Sequence, residues 1–479
     1  MLNLLMPPSS YREEDRSWWL NDVRSLQGAL RNHARLTGTQ TADVAIIGGG
    51  FTGMWSALAL LDRHPKLRIT VLDAFRCGEG ASSRNGGKAH GYWSSLGRLS
   101  QQLGASAALA TARLGDKAQD QLRSFCTSSG RDCWWQESGN LAISTAASQD
   151  YKIAEAVAVA ARMGVADSVV ALSQDEMVQH IKAPLFRGGL LYREGATVHP
   201  ARVAHYLRAE IQARGCAIYE DTQIAAITPT ENGAVLHSAN GQLTAGKVIL
   251  TTNFALSSLA HLRPHLTNFS SYATMSRPAP EALRGHGWLG SVGAADLRMF
   301  LHYFRKAGDR VLMGAGSGPI GFGQALQAER LRQDKPSLRR PANALQRLLP
   351  GFSTQDIERS WGWPIDVTAD RLPYAARLKG QNIFYGGGFS GHGVNPTLII
   401  GQCLASLVTG QDDEWTRSPF CQRKMPSLPP EPLRFIGGSA VRWGIMSCEN
   451  DEEDGHSPNM AARFCAALPR LTGMSIGLR

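Results

Sequence analysis

Three glycines and one aspartate stand at a spacing suited to phosphate and sugar recognition. Gly48, Gly50 and Gly53 make a G-x-G-x-x-G run, and Asp73 follows twenty residues past Gly53. In such a run the first glycine turns the chain sharply off a strand. The second lets the backbone approach a pyrophosphate, and the third lets a helix lie tight on a sheet. Phe51 and Thr52 open that helix, where free N–H groups and the positive dipole end face the phosphates. Asp73, with Ala74 beside it, is placed to accept ribose hydroxyls. The chemistry is that of holding an adenine dinucleotide.

The elements that must position these residues are legible on either side of them. The apolar run Val44-Ala45-Ile46-Ile47 predicts a strand, Met54 to Leu61 a helix, and Leu67 to Leu72 a second strand ending at Asp73. Gly78 to Lys88 is too rich in Gly and Ser for a regular element, and a loop of this kind wraps a ligand. Residues 102–127 and 150–164 are Ala-rich and predicted helical, with a strand between them in Trp134 to Ser144. A turn at 195–200 precedes a helix over 201–214. Strands follow at 217–219, 223–228, 234–238 and 247–252. The last ends in small polar residues, as a buried parallel strand does where it meets a ligand, so Thr251, and Ile224 on an earlier strand, join the expected binding set. Residues 268–320 carry further strands, including Met299 to Arg305 and Arg310 to Gly314, and Ala325 to Leu349 is predicted helical despite Pro336 and Pro341. Ile383 to Tyr385 runs into Gly386-Gly387-Gly388-Phe389-Ser390-Gly391-His392-Gly393-Val394, then a helix from Pro396 to Val408 with Asn395 as its N-cap. Residues 1–40 form an arm whose Trp18 and Trp19 tuck against the body. The tail beyond Gly410 is Pro-rich, then acidic, with a helix near 460–468.

Composition narrows the class. At 479 residues, 43% hydrophobic and 19% charged, the chain is globular with a large core. Its net charge of +10 is spread along the sequence, and the densest basic run, Arg330 to Arg340, lacks interleaved aromatics. That run reads as a solvated helix or loop, so nucleic acid is not an expected partner, while a weak bias toward anionic substrates remains. The eight cysteines form no C-x-x-C pair and no zinc-spaced Cys/His cluster, so a reduced, cytoplasmic protein without a metal site is expected. Met1 to Ser10 has no secretory pattern, and no run of eighteen apolar residues spans a membrane.

Three stretches taken together, Asp43 to Asp73, Gly80 to Lys88 and Trp361 to Gly410, resemble the D-amino-acid oxidase superfamily of FAD-dependent oxidoreductases. Within it the likeness is to the γ-glutamylputrescine oxidoreductase-like amine oxidoreductases. G-A-S-S-R-N-G-G resembles that family's flavin-wrapping loop, which adds Gly80, Ala81, Ser82, Arg84, Asn85, Gly86 and Gly87 to the cofactor set. G-F-S-G-H-G-V resembles its C-terminal flavin contact, which adds Gly388, Gly391, His392, Gly393 and Val394. The resemblance implies an α/β fold, with a Rossmann-like FAD domain assembled from 41–100, 195–258 and 355–410. A β-rich (α+β) substrate domain would come from 101–194 and 259–354, flanked by the arm at 1–40 and the tail at 411–479.

The resemblance also implies oxidation of the C–N bond of a small amine or amino acid, by hydride transfer to flavin N5, with dioxygen or an electron carrier as acceptor. The expected catalytic residues are Lys88, His392, Tyr303 and Trp361, with Tyr92, His302 and Trp363 as further pocket candidates. Lys88 would polarise dioxygen or a substrate carboxylate, or else lie at the surface. His392 either hydrogen-bonds the flavin or packs. His90 and Cys403 are conceivable covalent anchors, but nothing singles them out, so non-covalent FAD is expected. A flavin dehydrogenase of hydroxy acids and a catalytically silent flavin-binding subunit are the alternatives.

Overall fold

Val44, Ala45, Ile46 and Ile47 are buried on both faces because their strand is the centre of a parallel sheet. The computed structural model describes residues 2–3, 13–27, 34–316, 318–323 and 329–471. Strand Gly38–Ile47 pairs in parallel with Ile69–Leu72 on one side and Gly241–Leu250 on the other. Ala217–Tyr219 and Ile383–Gly387 extend this core, also in parallel. The strands Ile224–Thr230 and Gly233–Ser238 continue it antiparallel beyond Gly241–Leu250, and Tyr374–Arg377 pairs antiparallel with Ile383–Gly387. Helices Phe51–Arg63, Pro200–Ala213 and Pro396–Thr409 cover one face through a core that includes Met54, Leu207 and Ile399.

A second, largely antiparallel sheet runs in the order Ile357–Thr368, Leu266–Ser276, Arg310–Ala315, His302–Ala307, Gly293–Asp296, Asn140–Ser144, Gly188–Tyr192, Val170–Ser173. Its own core packs Trp288, Phe304, Leu345 and Phe352 beneath helix Lys335–Leu348. The helix expected over 325–349 is interrupted. Residues 324–328 lie outside the described residues, and Asp334 separates Arg330–Gln333 from Lys335–Leu348 by capping the latter through the Ser337 N–H at 3.0 Å.

Two expected boundaries shift. Helix Ala105–Thr127 packs on the first sheet's helices, with Phe125 edge-on to Trp55 at 5.0 Å, because Ala108, Ala112 and Ala118 give it a flat apolar stripe. Strand Ile357–Thr368 is an edge of the second sheet, paired along the length of Leu266–Ser276, so the first sheet resumes only at Tyr374. The tail holds two helices, Leu433–Glu453 and Met460–Leu471, where the sequence suggested one. Among the described residues no helix is long and apolar enough to cross a membrane.

Candidate active site

The C-terminal ends of the parallel strands open into a cavity of about 1170 Å³ that reaches the second sheet. At one end Gly48 adopts φ +106°, and a Cβ there would lie 2.6 Å from the Thr251 carbonyl oxygen. A Cβ on Gly53 would lie 2.0 Å from the Gly48 oxygen, so helix Phe51–Arg63 rests directly on the turn that precedes it. Thr251 pins the same turn, its Oγ1 donating to the Gly48 oxygen at 2.9 Å. Gly48, Gly50, Phe51 and Thr52 line the cavity, as do Asp73, Ala74, Ile224 and Thr251. The Asp73 carboxylate accepts the Gly49 N–H at 2.7 Å and the Phe75 N–H at 2.8 Å. Burial pushes it up to about 7 against those bonds, and the charges of Glu220 and Glu79 add to the rise.

The loop from Gly80 wraps the middle of the cavity and is held from within and from the arm. The Asn85 amide donates to the Ala81 and Ser82 oxygens at 3.2 and 2.8 Å, and its Oδ1 accepts the Gly87 N–H at 2.7 Å. The Arg84 guanidinium lies 3.9 Å from the centre of the Trp363 ring and donates to the Asp15 oxygen at 3.1 Å. Trp19 is fully buried and donates its Nε1–H to the Asn85 oxygen at 3.0 Å, while the Ser17 hydroxyl donates to the Ser83 oxygen at 2.6 Å. The arm therefore braces this loop, as the tucked tryptophans suggested.

At the other end, strand Ile383–Gly387 leads into the loop that holds Gly391, His392, Gly393 and Val394, all of which line the cavity. The Gly388 N–H donates to Asp366 Oδ2 at 2.5 Å, and burial pushes that carboxyl up to about 6. His392 stacks on His90 at 4.3 Å and donates Nε2–H to the His90 oxygen at 2.9 Å. Burial pulls the imidazole down to about 4, and the charges of Arg98, Arg371 and Lys88 act in the same direction, so it is neutral at physiological pH. Its backbone N–H is already taken by the Phe389 oxygen at 2.9 Å, so His392 itself offers this loop no free backbone donor.

The sequence-predicted chemistry is only partly gathered here. Lys88 lines the cavity and donates Nζ–H to the Ala294 oxygen at 3.0 Å; burial pulls it down to about 7, opposed by Asp296. Tyr303 lines it too, its hydroxyl 3.2 Å from Ser271 Oγ, and so do Trp363 and His90. Trp361 does not: it is 1% exposed and spends its Nε1–H on the Arg84 oxygen at 2.9 Å, making it core beneath the loop. His302 is buried behind the wall with Nδ1 2.6 Å from Asp296 Oδ2, and it is Asp296 that reaches the cavity. Tyr92 packs against His392 and Phe420 off the cavity, and Cys403 is buried with its Sγ donating to the Trp415 oxygen at 3.2 Å. Gly87 and Gly388 shape turns, and Gly53 seats its helix on the preceding turn, without lining the space. Arg98, Asp366 and Arg371 line the cavity but were missed: Arg98 lies outside the three resembling stretches, and Asp366 and Arg371 lie inside one of them without a local pattern that marks them as cavity residues.

A dinucleotide fits what is present. The volume exceeds the several hundred Å³ of a typical small-ligand site, leaving room for a cofactor and a substrate together. A helix N-terminus stands at one end, with a carboxylate twenty residues beyond it. The Thr252 hydroxyl lines the same space, buried with no hydrogen-bond partner among the described residues.

Comparison with known proteins agrees. A family model described as FAD dependent oxidoreductase matches residues 43–407. The probable oxidoreductase OrdL of Rhizobium meliloti (strain 1021) is 26% identical over 421 residues, 86% of this chain and 91% of that one. The gamma-glutamylputrescine oxidoreductase of Escherichia coli (strain K12) is 27% identical over 414 residues, 84% and 89% of the two chains. Among solved structures, glycine oxidase from Geobacillus kaustophilus shares the fold at a TM-score of 0.65 and 20% identity, over 80% of this chain and 99% of its own.

Proposed function

The chain belongs to the family of FAD dependent oxidoreductases, and we propose that it oxidises the C–N bond of a small amine or amino acid, with dioxygen or an electron carrier as final acceptor. The observation that carries this reading is the continuity of one cavity from the glycine turn and Asp73 to the second sheet, where Tyr303, Trp363 and Asp296 form its far wall. The names of two relatives, gamma-glutamylputrescine oxidoreductase and glycine oxidase, point to nitrogen-bearing substrates. No observation favours a hydroxy acid or a silent subunit.

Bound FAD would supply the redox step, taking a hydride from the substrate α-carbon at N5 and leaving an imine that hydrolyses to a carbonyl and an amine or ammonia. The chain's part is to bind, orient and exclude water. Gly48, Gly50, Phe51 and Thr52 would hold the pyrophosphate, Asp73 a ribose, and the loops at Gly80 to Gly86 and Gly391 to Val394 the ring system. The Gly393 N–H, just ahead of helix Pro396–Thr409, favours negative charge at the near edge of that ring. Tyr303 and Trp363 pack the alkyl part of an amine. Lys88, drawn close to neutrality, holds or releases a proton at Nζ on the cavity wall. Of the two conceivable covalent anchors, Cys403 faces away from the cavity and His90 lines it; nothing singles His90 out, and attachment of FAD is read as non-covalent.

Anaerobic mixing of the holoenzyme with a panel of amines, amino acids and hydroxy acids tests the reading. Bleaching of the flavin band by amines or amino acids supports it. Bleaching by hydroxy acids alone, or by no member of the panel, would refute it.

A further inference from the structure

The cavity reaches solvent on the side of the second sheet. Tyr151 and Glu155 of helix Tyr151–Arg162 and Arg470 of helix Met460–Leu471 all line it, and all three are exposed, so they mark its mouth. The family model ends at residue 407, and Arg470 lies in the tail beyond it. A part of the chain outside the matched stretch therefore builds part of the rim of the site.

The same tail grips the wall just inside the mouth. Leu297, Arg298 and Met299 line the cavity, and Lys152 donates to the Leu297 oxygen at 2.8 Å. Helix Leu433–Glu453 holds the other two. Glu449 accepts the Met299 N–H at 2.5 Å and lies 3.4 Å from Arg298 Nε, while Arg298 also donates to Glu453 at 2.9 Å and to the Asn450 oxygen at 2.8 Å. Glu453 in turn bonds Arg347 and takes the Thr145 hydroxyl at 3.0 Å. Both carboxylates and Arg298 are buried, so removing one member strands a charge out of water, and the cluster holds a single geometry. A Cβ on Gly444 would lie 2.6 Å from the Ala462 oxygen, so the two tail helices pack backbone to backbone. Arg470 is thereby carried to the mouth by the helix that grips the wall.

We propose that this helical hairpin is the specificity-determining cap of the substrate end of the cavity: Glu449 positions the wall at Leu297 to Met299, and Arg470 narrows the mouth, so that the tail sets the longest amine the enzyme can take. This rests on reading the cavity as the site of amine oxidation. A chain too long for the closed end must either pass between Arg470 and helix Tyr151–Arg162 or push back the wall, and pushing it back breaks the bonds of Glu449 to Met299 and Arg298. Glu449 does not itself line the cavity, so it acts through the backbone of Met299 and the guanidinium of Arg298.

The test uses holoenzyme of wild type, Arg470→Ala, Glu449→Ala and Glu449→Gln. Anaerobic flavin reduction is measured with straight-chain amines and α-amino acids of increasing length. Acrylamide quenching of the bound flavin's fluorescence reports access to the cavity without turnover. Arg470→Ala should raise the reduction efficiency of the longest members relative to the shortest by about tenfold. Glu449→Ala should raise the half-saturating concentration by about tenfold at a limiting rate changed by less than about twofold, because the wall moves while the flavin site stays whole. Glu449→Gln keeps an acceptor for the Met299 N–H and should recover part of that loss. Quenching should increase in Arg470→Ala and Glu449→Ala. A length profile and quenching equal to wild type in both variants overturn the inference and leave the proposed function standing. A limiting rate in Glu449→Ala that falls only in step with lost FAD, at an unchanged half-saturating concentration, makes the residue merely structural and overturns it too. Increased quenching in both variants, without reduction by any member of the panel, supports the cap and refutes amine oxidation. If Glu449→Ala does not fold, Arg470→Ala decides alone, since that residue is exposed, and an unchanged length ratio there overturns the inference.

Discussion

Gly50 and Gly53 share a motif, yet adding one methyl group to each should break different things. A Cβ on Gly53 meets the Gly48 oxygen at 2.0 Å and Thr251 Oγ1 at 2.8 Å, and the first contact is backbone that cannot swing aside. Helix and turn must part by more than an ångström. Overpacking of this kind costs about 1–3 kcal/mol, against at most about 1 kcal/mol gained from alanine's better helix propensity. A Cβ on Gly50 meets only Ser82 Oγ, at 3.1 Å, and otherwise projects into open cavity. The apoprotein should therefore accept Gly50→Ala nearly unchanged, while bound FAD would have to withdraw its pyrophosphate. Losing one or two charge-assisted hydrogen bonds at about 1.5–3 kcal/mol each amounts to about 3 kcal/mol, or two orders of magnitude in Kd. Thermal melts of apoprotein followed by circular dichroism, together with fluorescence titration by FAD, separate the two effects. Gly53→Ala should lower the apoprotein Tm, and Gly50→Ala should weaken FAD about a hundredfold at an unchanged Tm. An unaltered Kd in Gly50→Ala would refute the placement of the pyrophosphate over Gly50.

Three further outcomes are expected. Gly393→Pro removes the backbone N–H at 393 and fixes φ, so stopped-flow reduction should slow by about a hundredfold with FAD retained, whereas His392→Ala should be milder because that ring bonds the His90 oxygen; equal rates in wild type and the proline variant would move the loop away from the flavin. Lys88 loses its charge as pH rises through about 7, so reoxidation by dioxygen should fall across that range and become slow and flat in Lys88→Met. The sign for stability is the reverse: between about 7 and 10.5 the unfolded chain binds the proton that folded Lys88 has lost, so wild-type apoprotein should gain stability with pH relative to Lys88→Met, and equal pH slopes in urea titrations would contradict this. Trp19→Ala empties a fully buried site and drops the Asn85 brace, so the apoprotein should lose about 3–5 kcal/mol and FAD should dissociate faster, as dilution into a fluorescence cuvette would report.

What the sequence revealed and what it hid divide along physical lines. Local signals survived: the glycine spacing, the β-branched run at Val44 and the Pro396 helix start each depend on residues close in the chain, and each stands where expected. Trp361 failed because aromatic type says nothing about how far along one face of a strand the cavity extends. Its neighbour two positions on, Trp363, lines the cavity, and Trp361 is buried beneath the loop at Arg84. The boundary at 355 failed because strand Ile357–Thr368 is drawn to the second sheet by pairing with residues some ninety positions earlier, a long-range event with no local trace. Asp366 and Arg371 lie inside the stretch that carries the resemblance, yet no local pattern marks them, and only the assembled wall shows that they line the cavity.

The parallel sheet is assembled from strands far apart in the chain, and this bears on how the protein is made. The ribosome delivers Gly53 several hundred residues before strand Ile383–Gly387 and helix Pro396–Thr409, which complete the sheet and cover helix Phe51–Arg63. At about 5–20 residues per second that interval is on the order of tens of seconds. Throughout it the apolar flank of helix Phe51–Arg63 waits without its partner. Products of early termination before Ile383 should therefore emerge as aggregation-prone chains lacking cofactor, and no intermediate length should yield a partly active fragment.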